Sequence, residues 1–355
     1  MTDGLEILPV RGIGDIVPGD DLAKLITTAA PWLRNGDVLV VTSKIVSKAE
    51  GRLIEVPPDG PERDAAREAT LAAETARVVA RRGPTTIVQT HHGFVMAAAG
   101  IDASNVDKTH LVLLPEDPDA SARRLRADFR GRGLDVGIIV SDTMGRAWRN
   151  GLTDVALGAA GIEPFRDHRG ETDPYGNELQ LTQMAVIDEL AAAGELVKGK
   201  CDQVPVAVVR GHTRPPLGGV TSDDGPGAAA LLRDAASDMF SLGTAEAKAA
   251  GLRTAAALPA HGALPGRPAD ADAVSRALTT VADFVSPAFS ATPAEPSPHA
   301  GAAAALHLQS RDTSPAGLMR LGADAHRLQA ALAAESIASV ALPHEDGIRL
   351  SLSGT

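Results

Sequence analysis

Residues 138–150 read Ile-Ile-Val-Ser-Asp-Thr-Met-Gly-Arg-Ala-Trp-Arg-Asn. Such a short apolar run is typical of a strand that is covered on both faces. The ligands of α/β sheets tend to lie beyond the carboxyl ends of strands. Asp142 and Thr143 could therefore hold Mg²⁺ or Mn²⁺, while Arg146 and Arg149 could bind phosphate or carboxylate groups. A strand-end turn capped by Asp142, with solvated arginines, fits the spacing equally well.

A second predicted strand ends in the same way. The segment 95–105 passes from apolar residues through glycine to Asp102, Ser104 and Asn105. Asp and Asn are common in ordinary turns, so this segment alone would favour a turn. Two strand-end acids, Asp102 and Asp142, favour a divalent-metal phosphate site, because such a site usually needs more than one carboxylate.

A third segment combines hydroxyls with lysines after an apolar run. Ser43 follows the run 38–41, and Lys44 and Lys48 are four residues apart. They share one face if the segment is helical. This pattern suits nucleotide phosphates, although a solvated basic face would look the same.

One match to a known phosphate-binding motif fails. Residues 194–201 nearly fit the P-loop pattern, but Cys201 stands where a Ser or Thr would bind Mg²⁺. A predicted helix precedes this segment and a predicted strand follows it, which reverses the required order. Any nucleotide site in this chain is therefore expected to be of another kind.

The first two-thirds of the chain alternates predicted strands and helices. The patterns predict helices at about 61–79, 118–129, 184–193 and 314–335. They predict strands at 5–10, 37–42, 85–89, 94–99, 111–114, 136–140, 179–181, 206–209, 337–342 and 348–352.

Composition changes near Thr244, after which the chain is rich in Ala and Pro. The stretch 287–305 is expected to be a linker or poorly ordered loop. At roughly one domain per 150 residues, a chain of 355 residues suggests two domains. We therefore expect domain 1–245, and a C-terminal region 246–355 of unknown role.

Charge and cysteine content exclude several functional classes. The net charge of −11 argues against broad binding to nucleic acid, although a local basic cluster can still bind a small anion. A single cysteine excludes an internal disulfide or an all-cysteine metal cage. No apolar run approaches the roughly 20 residues of a membrane span, and the N-terminus lacks signal-peptide features. We expect a cytoplasmic protein that binds no membrane.

Several segments, in chain order, resemble the coenzyme F420-0:gamma-glutamyl ligase family. The resemblance covers residues 5 to about 245 and rests on an ordered set of short motifs rather than on one signature. The motifs are Ile7-Leu8-Pro9-Val10 with Gly12, residues 36–38 and 48–52, residues 99–106, Leu114-Pro115 with Asp117-Pro118-Asp119, residues 142–146, residues 173–179 and residues 205–211.

The resemblance implies an α+β fold of mixed sheets with helices, neither P-loop nor Rossmann. It implies an enzyme that uses GTP to add L-glutamate to coenzyme F420-0, a deazaflavin with a lactyl-phosphate side chain. An acyl phosphate would be the intermediate, and the tail would grow through gamma linkages. Mg²⁺ or Mn²⁺ is expected, with K⁺ as an optional further ion, in a homodimer. FMN is not expected, because 246–355 is short for a flavin domain and holds only two aromatic residues, Phe284 and Phe289.

The resemblance also assigns residues. Its nucleotide contacts fall on Ile13, Gly14, Asp15, Ile16, Ser43, Lys44, Lys48 and Asn105. Its divalent-metal ligands fall on Asp102, Asp142 and Thr143, and we take Asp142 and Arg146 as the catalytic candidates. The chain departs from the family at three places. Gly14 replaces a common proline, Lys200 stands where archaeal relatives carry an acid, and the loop 212–219 is unusual.

Two other functions use the same residues. A metal-dependent kinase or phosphatase acting on a small anionic substrate would use the same acids without needing glutamate. A non-catalytic deazaflavin-binding protein would bind the coenzyme without forming GDP.

Overall fold

A computed structural model describes residues 4–103, 107–200, 202–212, 220–234, 237–258, 264, 267–295, 302 and 304–354. The chain divides into two compact units, Met1–Gly243 and Thr244–Thr355. Both units combine helices with strands, so the predicted α+β class is confirmed.

The helices of the first unit are α1 (Leu22–Ala29), α2 (Ser43–Ala49), α3 (Gly60–Ala73), α4 (Pro118–Arg130) and α5 (Val186–Lys198). Its strands are β1 (Glu6–Val10), β2 (Val38–Thr42), β3 (Leu53–Glu55), β4 (Thr75–Arg82), β5 (Thr85–Thr90), β6 (Val95–Ala97), β7 (His110–Val112), β8 (Gly137–Arg146), β9 (Arg149–Ala160), β10 (Phe165–Asp167), β11 (Gln183–Ala185) and β12 (Val206–Arg210).

The main sheet of the first unit has the strand order β1-β12-β2-β8-β9. Strands β2 and β8 run parallel, and the other neighbours in this sheet are antiparallel. Smaller sheets pair β4, β5 and β6, β3 with β7, and β10 with β11. None of the helices in the described ranges is long and apolar enough to cross a membrane.

Both faces of the main sheet are covered. Successive side chains of a strand point to opposite faces, so alternate residues of β2 enter different cores. Leu39 and Val41 pack in one apolar cluster with Leu125 and Phe129 of α4. Val38 and Val40 pack in the other cluster, against α5. This burial on both faces explains why the β2 and β8 sequences are continuously apolar.

Strand β8 is longer than the sequence predicts. Its burial falls along its length: the first five residues are buried, Asp142–Met144 are partly buried, and Gly145 and Arg146 are exposed. The strand continues past Val140 because β9 pairs with it out to Arg146. Asp142 therefore lies within an extended hairpin, and the expected strand end at residue 140 is wrong.

Helix α5 packs unusually close to β2. A Cβ atom at Gly194 would lie only 2.9 Å from Cβ of Val40, so only glycine permits this approach. The next turns of α5 carry Glu195 and Lys198, which the close packing brings to the polar end of β8.

Two other predictions for the first unit are wrong. Residues 179–181 do not form a strand. The nearest strand in this part of the chain is β11, which begins two residues later and pairs with β10. The helix predicted from residue 61 to 79 ends at Ala73, and β4 follows. No residue of α3 is buried, so its alanine spacing does not mark a core face.

The second unit is an antiparallel sheet with helices. Its elements are α6 (Thr244–Ala256), α7 (Ala271–Val281), β13 (Phe289–Ala294), β14 (Ala304–Ser310), α8 (Pro315–Ala334), β15 (Ile337–His344) and β16 (Gly347–Gly354). The strand order is β13-β14-β16-β15. Apolar residues of α7, α8 and this sheet form a separate core.

Strand β13 lies inside the stretch 287–305 that was expected to be a linker. Pro293 sits in β13 opposite Leu306 of β14. Proline is tolerated there because β13 is an edge strand, where one side of the ladder needs no N–H donor. Residues 296–301 and 303 of the expected linker lie outside the described residues.

Candidate functional site

A cavity of about 680 Å³ lies beside the polar ends of β2 and α5. Its volume falls in the range of pockets that bind small molecules and cofactors. Three parts of the chain line most of it: residues 13–18 after β1, the start of α2, and residues 199–205 between α5 and β12. The lining residues are Ile13, Gly14, Asp15, Ile16, Val17, Pro18, Thr42, Lys44, Ile45, Lys48, Leu53, Asp107, His110, Glu195, Gly199, Lys200, Gln203, Val204 and Pro205.

Most of the predicted nucleotide-binding residues meet at this cavity. Residues 13–16, Lys44 and Lys48 all line it. The two lysines share a face because the segment is helical, as their spacing indicates. Ser43 does not line the cavity; it is buried and hydrogen-bonds to Asp142. Asn105 lies outside the described residues.

Asp102 lies close to α2. One of its carboxylate oxygens is 2.5 Å from Nζ of Lys44. The backbone around Asp102 is fixed by mutual hydrogen bonds with Val112, at 2.8 and 2.9 Å. The charge of Asp102 also acts on Asp142, so two of the predicted metal ligands share one electrostatic environment.

Asp142 carries an unfavourable buried charge. Burial, with smaller contributions from the charges of Asp154 and Asp102, raises the pKa of Asp142 to about 6. The hydrogen bonds from Thr143 N, at 2.7 Å, and from Ser43 offset only part of this increase. An acid destabilised in this way would gain from a nearby cation.

The hydroxyl of Thr143 has a defined orientation. It donates a hydrogen bond of 2.7 Å to Asp154 Oδ1. A threonine hydroxyl has one proton and two lone pairs, so this bond leaves the oxygen able to accept. Nζ of Lys200 already donates to it at 2.5 Å. The departure at Lys200 therefore places a cation on a predicted metal ligand.

A buried ion pair lies behind these ligands, and no sequence pattern predicted it. Lys198 and Asp154 lie 2.7 Å apart, and both side chains are only 2% exposed. Ser141 donates to Asp154 Oδ2 and accepts from Lys198 Nζ, at 2.9 and 3.0 Å. Burial alone would raise the pKa of Asp154, but the charge of Lys198 and three hydrogen bonds hold it below its usual value.

Only the pairing of β8 with β9 could have identified Asp154 from the sequence. Asp154 lies opposite Thr143 because β9 pairs with β8. The small residues of β9 did not predict a strand, so the partner of Thr143 was not identified. Lys198 was considered only as part of the rejected P-loop match.

Glu195 joins the two lysines at the edge of the cavity. Its carboxylate lies 3.3 Å from Lys198 Nζ and 2.8 Å from Lys200 Nζ. Lys200 is 62% exposed, so its charge faces solvent and the cavity rather than the core.

Arg146 lies at a different place from the acids. It is exposed at the tip of the β8–β9 hairpin, paired in register with Arg149. Four residues of extended strand separate it from Asp142, about 13 Å at ~3.3 Å per residue. Trp148, between the arginines, is 86% exposed and makes an edge contact with Phe240.

The predicted metal ligands suit a hard divalent cation. Asp102, Asp142 and Thr143 offer only oxygen atoms, as Mg²⁺ and Mn²⁺ prefer. The raised pKa of Asp142 shows that its charge is poorly compensated by the protein alone. The residues therefore fit the ion that the resemblance implies.

The sequence of this chain is similar to one protein family and to several named members of that family. A family model described as F420-0:Gamma-glutamyl ligase matches residues 12–211, within the first unit. The coenzyme F420:L-glutamate ligase of Methanothermobacter thermautotrophicus is 39% identical over 254 residues, covering 67% of this chain and 99% of the relative. That of Methanopyrus kandleri is 41% identical over 249 residues, covering 66% and 97%.

A relative of the same name from Halobacterium salinarum is 45% identical over 219 residues, covering 57% of this chain and 85% of its own length. The family model matches more than half of the chain, and two of these relatives are matched over nearly their whole length. The chain therefore belongs to the F420-0:gamma-glutamyl ligase family.

Proposed function

We propose that this protein is a GTP-dependent ligase that joins L-glutamate to coenzyme F420-0. The observation that carries the proposal is the cavity lined by Lys44 and Lys48. Lys44 links it to the candidate metal ligands, because Lys44 pairs with Asp102 and the charge of Asp102 acts on the poorly compensated Asp142. This combination suits a polyanionic nucleotide bound through a divalent ion. Membership of the family supplies the substrate class.

We assign the nucleotide to the cavity. Lys44 and Lys48 would bind its phosphates as point charges, because both line the cavity from one face of α2. Residues 13–16, which also line the cavity, would contact the nucleoside. The site needs no P-loop, in agreement with the rejected match at residues 194–201.

We assign a Mg²⁺ or Mn²⁺ ion to Asp102, Asp142 and Thr143. When bound, the ion supplies charge neutralisation on the nucleotide phosphates. Asp142 would be ionised when it holds the ion, because the cation would compensate the charge that burial disfavours. Asp154 would act as a positioning residue, since it takes the only proton of the Thr143 hydroxyl. Lys44 and Lys200 would turn from these ligands toward the phosphates.

The reaction proceeds in two balanced steps. A carboxylate oxygen of the coenzyme attacks the γ-phosphorus of GTP, the bond to the bridging oxygen breaks, and GDP leaves. The amine of glutamate then attacks the acyl carbon, loses its proton and displaces inorganic phosphate. Amide formation from a free carboxylate is unfavourable in water, so phosphoryl transfer from GTP activates the carboxylate and drives the reaction. Repetition on the new glutamate would extend a gamma-linked tail.

We assign the coenzyme phosphodiester to the hairpin tip. Arg146 and Arg149 are exposed there and can pair with an anionic oxygen. At about 13 Å from Asp142 along the strand, Arg146 would hold the substrate rather than touch its reacting atoms. In this proposal Arg146 is therefore a binding residue for the coenzyme.

A single assay tests the proposal. Purified protein is incubated with GTP, MgCl₂ or MnCl₂, L-glutamate and F420-0, with and without KCl. GDP and the coenzyme mass are then measured by chromatography and mass spectrometry. GDP formation over many turnovers that depends on glutamate, with a coenzyme heavier by glutamyl units, is expected. Without glutamate, the first step allows at most about one GDP per enzyme. Continued GDP or phosphate release without glutamate would instead support a kinase or phosphatase, and coenzyme binding without GDP a binding protein.

Single-residue variants test whether Asp142 takes part in the reaction. Asp142→Asn keeps the size of the side chain but removes the charge, and it is expected to lower turnover by at least 100-fold, roughly the loss of one electrostatic stabiliser. Asp128→Asn, an exposed position on α4, is the matched control and should retain wild-type turnover. Equal rates in the two variants would remove Asp142 from the mechanism.

The oligomeric state and the cellular compartment of the protein remain predictions. We propose a cytoplasmic homodimer in which the first unit carries the ligase activity. Light scattering after size-exclusion chromatography should give twice the mass of 36.5 kDa. A single-chain mass at assay concentrations would contradict the dimer.

A further inference from the structure

A second cluster of ligand-type side chains lies in the C-terminal unit, apart from every residue assigned to the ligase. His307 lies on β14, His344 ends β15, and Asp346 lies in the turn between β15 and β16. One potential ligand atom from each residue lies within 4.8 Å of the other two. The sheet brings them together because β14 and β15 both pair with β16.

The distances suit coordination of one ion. Asp346 Oδ1 lies 3.0 Å from His307 Nε2 and 3.0 Å from His344 Nδ1. Two ligands bound at ~2.1 Å to a common ion lie about 3.0–3.4 Å apart. The two distances to Asp346 are therefore already those that a bound ion would require, and the two histidine nitrogens lie within 4.8 Å of each other.

His307 has an unsatisfied nitrogen. Its Nε2 atom is buried and makes no hydrogen bond of acceptable geometry to any described residue, despite lying 3.0 Å from the carboxylate. A buried polar atom without a partner costs free energy. Coordination of a metal ion by Nε2 would give this nitrogen a partner, although its geometry to Asp346 does not allow a hydrogen bond.

The surroundings hold the carboxylate in place. The second oxygen of Asp346 accepts a 2.6 Å hydrogen bond from Gln309 Nε2, so Oδ1 is presented to the histidines. The turn approaches β14 closely at Gly347, where a Cβ atom would lie 2.2 Å from the Leu308 carbonyl oxygen and 3.2 Å from His307 Nε2. Glycine at this position is what allows the turn to reach His307.

Arg349 competes with an ion for His344. Its guanidinium lies 2.9 Å from His344 Nε2, so this nitrogen accepts and Nδ1 carries the proton. Coordination through Nδ1 needs the other tautomer, with the proton on Nε2. Arg349 must therefore turn away when an ion binds, and its charge opposes binding until it does.

We propose that His307, His344 and Asp346 form a binding site for a divalent transition-metal ion of the Zn²⁺ class. Two imidazole nitrogens and one carboxylate oxygen favour Zn²⁺ over Mg²⁺, which prefers oxygen ligands. Three protein ligands leave a fourth position for water or another small ligand. This site is distinct from the oxygen site of the ligase and does not depend on the proposed function.

Zinc binding by the full-length protein tests the site. Chelator-treated protein is titrated with ZnCl₂ in excess MgCl₂, against a chromophoric zinc chelator. One equivalent bound through His307 and His344 is expected. X-ray absorption of the zinc-loaded protein should show two imidazole nitrogens at about 2.0 Å. No zinc bound at micromolar concentrations would overturn the proposal.

Variants separate this site from other zinc-binding positions. His307→Ala and His344→Ala should each weaken binding by more than the roughly 10–100-fold cost of losing an outer-shell partner. His326→Ala, at an exposed histidine on α8 in the same unit, is the matched control and should bind as wild type does. Wild-type affinity in His307→Ala would assign the zinc elsewhere and overturn the proposal.

Two further variants keep the test decisive. Asp346→Asn leaves both histidines and should also weaken binding, which covers the case in which His307→Ala does not fold. Arg349→Ala removes the competing cation and should bind zinc at least as tightly as wild type. Asp142→Asn, in the ligase cavity, should leave zinc affinity unchanged, so failure of the ligase proposal would not be mistaken for failure of this one.

Discussion

The two units bury charge in different ways. In the first, Asp154 and Lys198 form an ion pair within a sheet that is covered on both faces. In the second, the buried acid Asp324 binds Arg327, which is 44% exposed, and the backbone N–H of Ser286. The first pair supports the candidate metal ligands, whereas Asp324 fastens a helix to a neighbouring loop. Buried charge therefore indicates function only where it contacts residues that face a cavity.

The largest expected effect tests this contrast directly. Lys198→Met leaves Asp154 buried without its cation and should lower the free energy of unfolding by about 3–5 kcal/mol. Arg327→Met should cost less, because Arg320, 3.8 Å away, and the Ser286 N–H still serve Asp324. Urea denaturation of both variants measures the difference.

Removal of both charges of the buried pair should recover most of the free energy of unfolding that Lys198→Met loses. The double variant Lys198→Met with Asp154→Leu removes both charges and is expected to regain much of the stability. It should not regain ligase turnover, since Thr143 would lose its hydrogen-bond acceptor. A Lys198→Met protein as stable as wild type would contradict the importance of the buried pair.

A core truncation tests whether the second unit depends on apolar packing instead. Leu328→Ala, at a fully buried position of α8, should destabilise this unit by about 2–5 kcal/mol. Hydrogen exchange of β14 and β16 amides should become faster. Met319→Ala, on the same helix but 77% exposed, is the control with almost no expected effect. Ligase turnover should be unchanged in both, because every candidate ligase residue lies in the first unit.

The pH dependence of stability should differ in sign between Asp142 and Asp154. The pKa of Asp142 is raised to about 6, so its stabilising contribution is complete below pH 4 and is lost as the pH rises through 6. In metal-free protein, Asp142→Asn should therefore be more stable than wild type above pH 6, by at most about 3 kcal/mol. The two proteins should converge near pH 4.

Asp154→Asn is the matched comparison. The pKa of Asp154 is lowered, so its ionised form stabilises the fold at neutral pH and this contribution is lost on acidification. The Asn variant should be less stable than wild type at pH 7. Urea denaturation with chelator, from pH 4 to 8, checks both signs. Parallel pH profiles for the two variants would show that the environments do not differ as described.

The smallest expected effects should be equal in the two units. Asp117 Oδ1 accepts from Ala120 N at the start of α4, and Ser314 Oγ accepts from Gly317 N at the start of α8. Asp117→Ala and Ser314→Ala should each cost about 1 kcal/mol of unfolding free energy. Ser314→Asn should restore much of the loss. Unequal costs would mean that the units differ in helix capping as well as in core charge.

Much of the first unit was predictable because its signals are local. The runs in β2 and β8 are apolar enough to identify strands buried on both faces, whereas the α+β class was implied by the family resemblance. The spacing of Lys44 and Lys48 predicts a shared helix face, which the structure confirms; that this face lines a cavity comes from the structure. These residues needed no knowledge of which strands pair.

The elements and contacts that the sequence did not predict share a physical cause. Asp154 and Lys198 are 44 residues apart and meet only through the β8–β9 register and the packing of α5. Ala156 and Gly158 in β9 carry no strand propensity, and Pro293 made an edge strand resemble a linker. Long-range pairing overrides local preference at these positions, and a single sequence does not record it.

The burial of Lys198 has a consequence for chemical labelling. Amine-reactive reagents need solvent access, which Lys200 has at 62% exposure and Lys198 lacks at 2%. In the native state Lys200 should be acylated while Lys198 is protected. Lys198 can react only when α5 separates from β8, so its labelling rate relative to that of Lys200 reports how often this part of the fold opens.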